Sequence, residues 1–347
     1  MRIEKDPMIR DGKIRIEEEL IRKLKKAQYR VFGHSTVRIC HYTKKALKKE
    51  KVCYKRKFFG IEAHRCMEFS PSGLFCHHRC TYCWRPTNFY KTLKLEDDKV
   101  DDPIEIVENL LKERNKLLTG FGGNEKVDKE LYKEALIPTH FAISLSGEPT
   151  MYPKLPELIK YLKSLPSTKS IFLVTNGEEP EMLERLERED ALPTQLYLSM
   201  NAGRIETFKR VNCPLMKDSW ERFNRSLEFL SKTKTRTVIR ITLIRGLNDS
   251  NEEIKYFAEL IKKGNPHFVE VKSYMHVGYS KSRLTEKEML SMEEIREWAR
   301  KLQKFLPNFE FMDEDEDSRI VILQNKERYV DRWVVKPEES SLFKFGL

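Results

Sequence analysis

Three cysteines, Cys76, Cys80 and Cys83, stand at C-x3-C-x2-C spacing within eight residues. That spacing brings three thiolates to three corners of one metal cluster and leaves the fourth corner without a protein ligand. A structural zinc site is closed by four protein ligands, and most cubane iron–sulfur sites also use four cysteines. A three-cysteine site therefore keeps a metal position open for a substrate or cofactor. The competing reading is a zinc knuckle completed by His77 or His78, closed by nearby residues alone. Three more cysteines precede the triplet, Cys40, Cys53 and Cys66, with twelve residues between neighbours. They could bind zinc with His34, His41 or His64, or hold a second three-cysteine cluster with its own open iron. Zinc sites usually bring cysteines in close pairs, and none of these is paired.

Residues that act together need elements that end in the same place. Asp102-Pro103 opens a helix through Leu118, since proline in the first turn after an acidic cap is a good start signal. Apolar strands at 140–145, 171–174, 195–200, 237–244 and 268–274 alternate with helices at 156–162, 180–188, 205–211, 219–231, 251–263 and 292–305. A short strand at 64–70 precedes them and leads into the cysteine loop. Six β/α alternations mean parallel strands with right-handed crossovers. An open doubly wound sheet and an incomplete barrel both fit that pattern, and both place functional residues at the carboxyl ends of the strands. Polar residues do follow the strands: Gly147-Glu148, Asn176-Gly177, Ser199-Met200-Asn201, Arg245-Gly246 and Met275-His276. Upstream, Ile16, Leu20, Ile21, Leu24 and Ala27 predict a helix over 14–31. An irregular basic segment follows over 32–63, long enough to need something such as a metal cluster to fix it. Residues 119–134 look like an insertion, and 309–324 like a hairpin around an acidic turn. The chain divides into an N-terminal basic extension carrying the second cysteine set (1–67), a partial barrel (68–310) and a C-terminal extension (311–347).

The bulk composition bounds the partners. The 347 residues are 39% hydrophobic and 34% charged, and no apolar run reaches eighteen residues, so no transmembrane helix is expected. The N-terminus lacks the apolar core of a signal peptide, and a cytoplasmic protein is expected. Six of the seven cysteines lie between Cys40 and Cys83, which favours metal binding over disulfides. Residues 21–60 hold fourteen Lys and Arg against one acid, Glu50, in a chain of net charge +11. Such a block beside a reactive site points to a polyanion partner, the alternative being a solvated face.

The cysteine triplet resembles that of the radical S-adenosylmethionine (SAM) superfamily, in which the open iron chelates SAM. Ser146-Gly147-Glu148 is similar to the superfamily's GGE motif, with Ser146 in place of the first glycine. The resemblance implies an incomplete (β/α)6 TIM-like barrel. It also implies SAM contacts from Gly147 and Glu148. Asn176, Ser199 and Asn201 either bond the carboxylate or ribose of SAM or form Asx turns capping the next helices. Over nearly the whole chain the sequence resembles the archaeal form of the tRNA 4-demethylwyosine synthase family. The resemblance is carried by three cysteines at thirteen-residue steps, Cys53-Tyr54-Lys55, Cys83-Trp84-Arg85-Pro86 and Ser-Gly-Glu-Pro-Thr. It implies two [4Fe-4S] clusters, one on Cys76, Cys80 and Cys83 and one on Cys40, Cys53 and Cys66. It implies a carbon–carbon bond-forming lyase that condenses N1-methylguanosine, at position 37 of tRNA-Phe, with pyruvate to give a tricyclic base. Lys55 matches the family's Schiff-base lysine, with Lys57 as the alternative. The family's eukaryotic members carry a flavodoxin-like domain, so an external donor such as a flavodoxin or ferredoxin is expected here. Tyr54, Phe58, Phe59, Trp84 and Phe89 are candidates to stack the extruded base or to pack the core. A two-cluster tRNA methylthiotransferase and a non-catalytic zinc-containing RNA-binding protein are the other readings.

Overall fold

The computed structural model describes residues 8–86 and 94–339, so Phe89 lies outside the described residues. The chain opens with a hairpin of β1 (Met8–Arg10) and β2 (Lys13–Arg15), followed by α1 (Glu18–Lys26). The helix expected over 14–31 is therefore only its middle part. After α1 the chain turns, and β3 (Tyr29–Phe32) pairs antiparallel with β4 (Ser35–Arg38). Leu20, Leu24 and Tyr29 are buried in one cluster from a helix and a strand respectively. Over so few residues helical and strand periodicities coincide.

The stretch expected to be irregular also has structure. It contains β4, α2 (His41–Ala46) and α3 (Tyr54–Phe59). Cys40 and Cys53 are the N-cap residues of those two short helices, and Cys66 is the first residue of β5 (Cys66–Ser70). Three cysteines far apart in sequence thus stand where elements begin.

Downstream, expectation and structure agree closely. α4 (Pro103–Gly122) is capped by Asp102, whose carboxylate accepts from the Ile104 and Glu105 amides. The presumed insertion holds α5 (Lys129–Ala135). Then follow β6 (His140–Ile143), α6 (Leu155–Ser164), β7 (Ser170–Thr175), α7 (Pro180–Arg188) and β8 (Gln195–Ser199). After these come α8 (Ile205–Asn212), α9 (Ser219–Lys232), β9 (Arg236–Leu243), α10 (Asn251–Gly264) and β10 (Phe268–Ser273). The chain closes with α11 (Met292–Gln303) and the hairpin of β11 (Phe309–Asp315) and β12 (Ile320–Asn325).

One ten-stranded sheet carries the fold, in the order β11-β12-β10-β9-β8-β7-β6-β5-β4-β3. β5 through β10 are all parallel and in chain order. A doubly wound sheet reverses its order at a switch point. Here there is no reversal, so the winding is that of a barrel, left incomplete by the antiparallel edges β4 and β12. The sheet crosses all three segments of the chain, with β4 from the first and β12 from the last. Alternate strand residues such as Phe141, Ile171, Leu196, Ile239 and Val269 pack under the helices. The opposite residues, Phe172, Tyr197, Val238 and Phe268, pack with Phe58 and Phe59 of α3. This inner apolar plug closes one end of the sheet's concave side. Among the described residues no helix is long and apolar enough to cross a membrane.

Candidate functional site

Above the plug, toward the carboxyl ends of the parallel strands, lies a cavity of about 410 Å³. All six cysteines of the two triplets line it, with Lys55, Gly147, Glu148, Asn176 and Ser199. All seven cysteines of the chain are free thiols. Burial pushes the Cys66 and Cys76 thiols up to about 12, and raises Cys40, Cys53 and Cys80 in the same direction. Six sulfurs facing one space are the donor set of groups that deprotonate thiols on binding. Among the described residues no three His, Cys, Asp or Glu side chains are gathered closely enough to chelate a single ion. The triplets border a volume instead of closing on a point. Of the histidines considered for zinc, His34, His41, His64 and His77 do not line the cavity. His34 bonds the Pro71 carbonyl and the Asp101 amide, and His64 bonds Glu134. His78, which does line the cavity, is held by Glu178 at 2.5 Å.

The cysteine loop is fastened from behind. The Arg79 amide donates to the Asn212 and Cys213 carbonyls, and the Thr81 amide to Val211. Arg283 caps the Thr81 and Cys83 carbonyls. Gly147 adopts φ +71°, and a Cβ there would collide with the Ser72 carbonyl oxygen. The Ser72 hydroxyl donates to the Glu148 carbonyl, and the Glu148 amide to the Phe75 carbonyl. The Gly-Glu strand end is thereby locked onto the turn that launches the cysteines. Ser146 faces the other way, donating to the Gly73 carbonyl and bonding Thr36.

Glu148 is fully buried. Its carboxylate accepts from the Thr150 and Thr175 hydroxyls and the Thr150 and Asn176 amides, and burial nonetheless raises its pKa. Asn176 forms the expected Asx turn. Its Oδ1 accepts from the Glu178 amide as an Asx turn, while its Nδ2 points to the Cys76 sulfur at 3.8 Å. Asn201 does not line the cavity. Its Nδ2 donates to the Tyr82 hydroxyl at 2.6 Å and its Oδ1 accepts from the Thr242 amide. Tyr82, absent from the candidates read in the sequence, carries the contact to the cavity and bonds the Cys80 thiol.

Lys55 and Lys57 separate cleanly. The Lys55 ammonium lies 4.6 Å from the Phe172 ring centre and 4.8 Å from that of Tyr197; the residue is half-buried, and desolvation together with Arg240 lowers its pKa. Lys57 points outward, bonding the Glu314 carbonyl at 2.6 Å and Asp313 at 3.0 Å. Of the aromatics, Tyr54 and Trp84 line the cavity, whereas Phe58 and Phe59 are buried in the plug. Tyr274 and Met275 also line it. The cavity floor holds a charged network that sequence reasoning missed: Glu270 accepts from Arg240 at 2.8 Å and is reached by Tyr54 and Tyr197, with Lys272 alongside. The available signal was an arginine, a glutamate and a lysine at alternate positions of otherwise apolar strands. Cys213 is half-buried and donates to the Arg210 carbonyl.

Comparison with known proteins follows the same lines. A family model described as the radical SAM superfamily matches residues 70–261, and one described as wyosine base formation matches 263–325. The S-adenosyl-L-methionine-dependent tRNA 4-demethylwyosine synthase of Pyrococcus horikoshii is 46% identical over 322 residues, 91% of this chain and 93% of that one. Its counterpart in Methanocaldococcus jannaschii is 40% identical over 320 residues, 91% of this chain and 99% of that one. The human synthase TYW1 is 36% identical over 324 residues, which span 91% of this chain and 42% of the human protein. Among solved structures, TYW1 with a lysine–pyruvate adduct bound superposes with a TM-score of 0.81 at 38% identity, covering 92% of this chain and 99% of that one.

Proposed function

The chain belongs to the tRNA 4-demethylwyosine synthase family, and on that premise we propose that its central cavity condenses N1-methylguanosine 37 of tRNA-Phe with pyruvate. It is a radical SAM enzyme that forms the tricyclic wyosine base on tRNA. The observation that carries the finer reading is one cavity lined by both cysteine triplets and by Lys55.

Cys76, Cys80 and Cys83 hold the cluster that binds SAM, and Cys40, Cys53 and Cys66 hold a second, giving two [4Fe-4S] clusters. A cluster held by Cys76, Cys80 and Cys83 would, with SAM, supply the radical chemistry that abstracts a methyl hydrogen. The chain's own residues position the reactants. Gly147 offers bare backbone, Glu148 and Asn176 stiffen the strand ends around SAM, and Ser199 adds a hydroxyl. Asn201 acts through Tyr82. The Lys55 amine attacks the pyruvate carbonyl carbon. The C=N bond of a Schiff base forms as the carbonyl oxygen leaves as water. An amine nucleophile must be unprotonated, and desolvation with the neighbouring Arg240 charge favours that form. Lys272 on the same wall brings positive charge suited to a 2-oxo acid's carboxylate. Lys and Arg of 21–60 meet the anticodon-loop backbone in a salt-dependent way. Electrons come from an external donor such as a flavodoxin or ferredoxin, and the enzyme works in the cytoplasm. The division at 67 and 310 separates the pyruvate-activating, radical-generating and C-terminal segments.

The test is mass spectrometry of tRNA incubated with the reconstituted enzyme, SAM, pyruvate and a reductant. Conversion of N1-methylguanosine to 4-demethylwyosine is expected only when all are present. Unchanged tRNA alongside active SAM cleavage would sink the proposal.

A further inference from the structure

A second cleft, of about 510 Å³, opens beside the central cavity. Met275 and Val277 line both, so the segment after β10 is a shared wall. The volume falls within the roughly 300–1,000 Å³ of small-ligand sites.

Its chemistry is selective. Arg245 is committed to Glu294 through two bonds and to the Lys287 and Met289 carbonyls, so its charge is spent within the wall. Beside the Glu286 carboxylate and Ser291, the lining is flat or soft: the His276 ring, the Arg319 guanidinium and the thioethers of Met275 and Met289. One Arg319 nitrogen donates to the Leu290 carbonyl at 3.0 Å, which holds the guanidinium in place. The His276 Nδ1 is buried without a hydrogen-bond partner, with the nearest Glu286 oxygen 3.6 Å away. A free anion would find little uncommitted charge here. A planar base finds surfaces to stack on. Single-stranded RNA is read in this way, by bases splayed onto ring and guanidinium planes.

We propose that this cleft holds the base of a nucleotide adjoining the modified guanosine, with His276 and Arg319 as its stacking surface. The proposal rests on the reading that the central cavity takes an extruded tRNA base. An extruded base leaves its neighbours one phosphodiester away, at the mouth where the two spaces share a wall.

The experiment uses the reconstituted enzyme and three synthetic anticodon stem-loop RNAs. Each carries 2-aminopurine at the target position, at its 5′ neighbour or at its 3′ neighbour. With wild-type protein, the target signal and one neighbour's signal should both change on binding. In His276→Ala and Arg319→Ala the neighbour's change should disappear at saturating protein, and Kd should rise about tenfold, the scale of one lost stacking platform. His276→Phe, which keeps a ring, should restore the neighbour's signal, an outcome that a merely structural role does not produce. Neighbour signals that are the same in wild type and both alanine variants would overturn the proposal. A target signal that never changes in wild type would instead remove the extruded-base reading, and this proposal with it.

Discussion

At the scale of single residues, the two candidate lysines two positions apart are told apart by direction. On α3, capped by Cys53, Lys55 turns into the cavity while Lys57, two positions further round the helix, faces β11. Lys55→Ala is expected to retain SAM cleavage and lose base formation. Borohydride trapping of pyruvate on that variant would refute the assignment. Lys57→Ala should keep base formation, and removing its half-exposed ion pair should cost no more than about 1 kcal/mol in a denaturant titration. The cysteines make a second residue-scale prediction. About eight irons per chain are expected after anaerobic reconstitution, and about four in Cys53→Ala or in Cys80→Ala. Only Cys80→Ala should lose SAM cleavage, and zinc with no iron would refute both cluster assignments.

At the scale of elements, function depends on how strand ends lock onto the loop between β5 and α4. Gly147 is needed because its positive φ and its approach to the Ser72 carbonyl exclude a side chain. Gly147→Ala is expected to weaken SAM binding in calorimetry and to cost about 1–3 kcal/mol of stability, the range of a strained backbone position. Ser146 stands where the superfamily pattern has another glycine. Its hydroxyl faces Thr36 and the Gly73 carbonyl, so the departure ties β4 to the loop and leaves the cavity side unchanged. Ser146→Ala should cost about 1 kcal/mol while SAM affinity holds. The same folding logic explains why equal spacing of Cys40, Cys53 and Cys66 matters. Each begins an element, and the antiparallel return through β3 and β4 brings all three to one wall.

At the scale of the whole molecule, the histidines set the acid limit. Burial lowers the pKa of His34, His64 and His140, and lowers that of His267 to about 4, with Arg328 and Arg236 adding to the shift. The unfolded chain therefore binds protons below about pH 6.5 that the folded chain refuses. Stability is full above that pH and is lost as pH falls toward 4. His267 Nδ1 accepts from the Thr237 amide at 3.1 Å, an acceptor that asparagine can mimic. His267→Asn should flatten the fall in melting temperature between pH 6.5 and 5. Discounted for its partial exposure, the effect is about 1–2 kcal/mol.

Much was legible from sequence because it is local. The C-x3-C-x2-C spacing places three sulfurs on one loop whatever the fold. Apolar runs broken by Pro, Gly and Asn mark β6 through α11 to within a residue or two at most ends. The family resemblance rests on the same short-range patterns. What lay beyond reach is non-local. The pairing of β3 with β4, and of β4 with β5, joins a region whose composition suggests only a basic, irregular segment. The commitment of Asn201 to Tyr82, of Lys57 to Asp313 and of Arg240 to Glu270 depends on which strands are neighbours and how they are registered. Side-chain direction alternates with register, and register is decided by contacts across tens to hundreds of residues. The sequence by itself determined the cysteine spacings and the metal chemistry they suggest. Only the tertiary structure decided which of the other polar side chains face it.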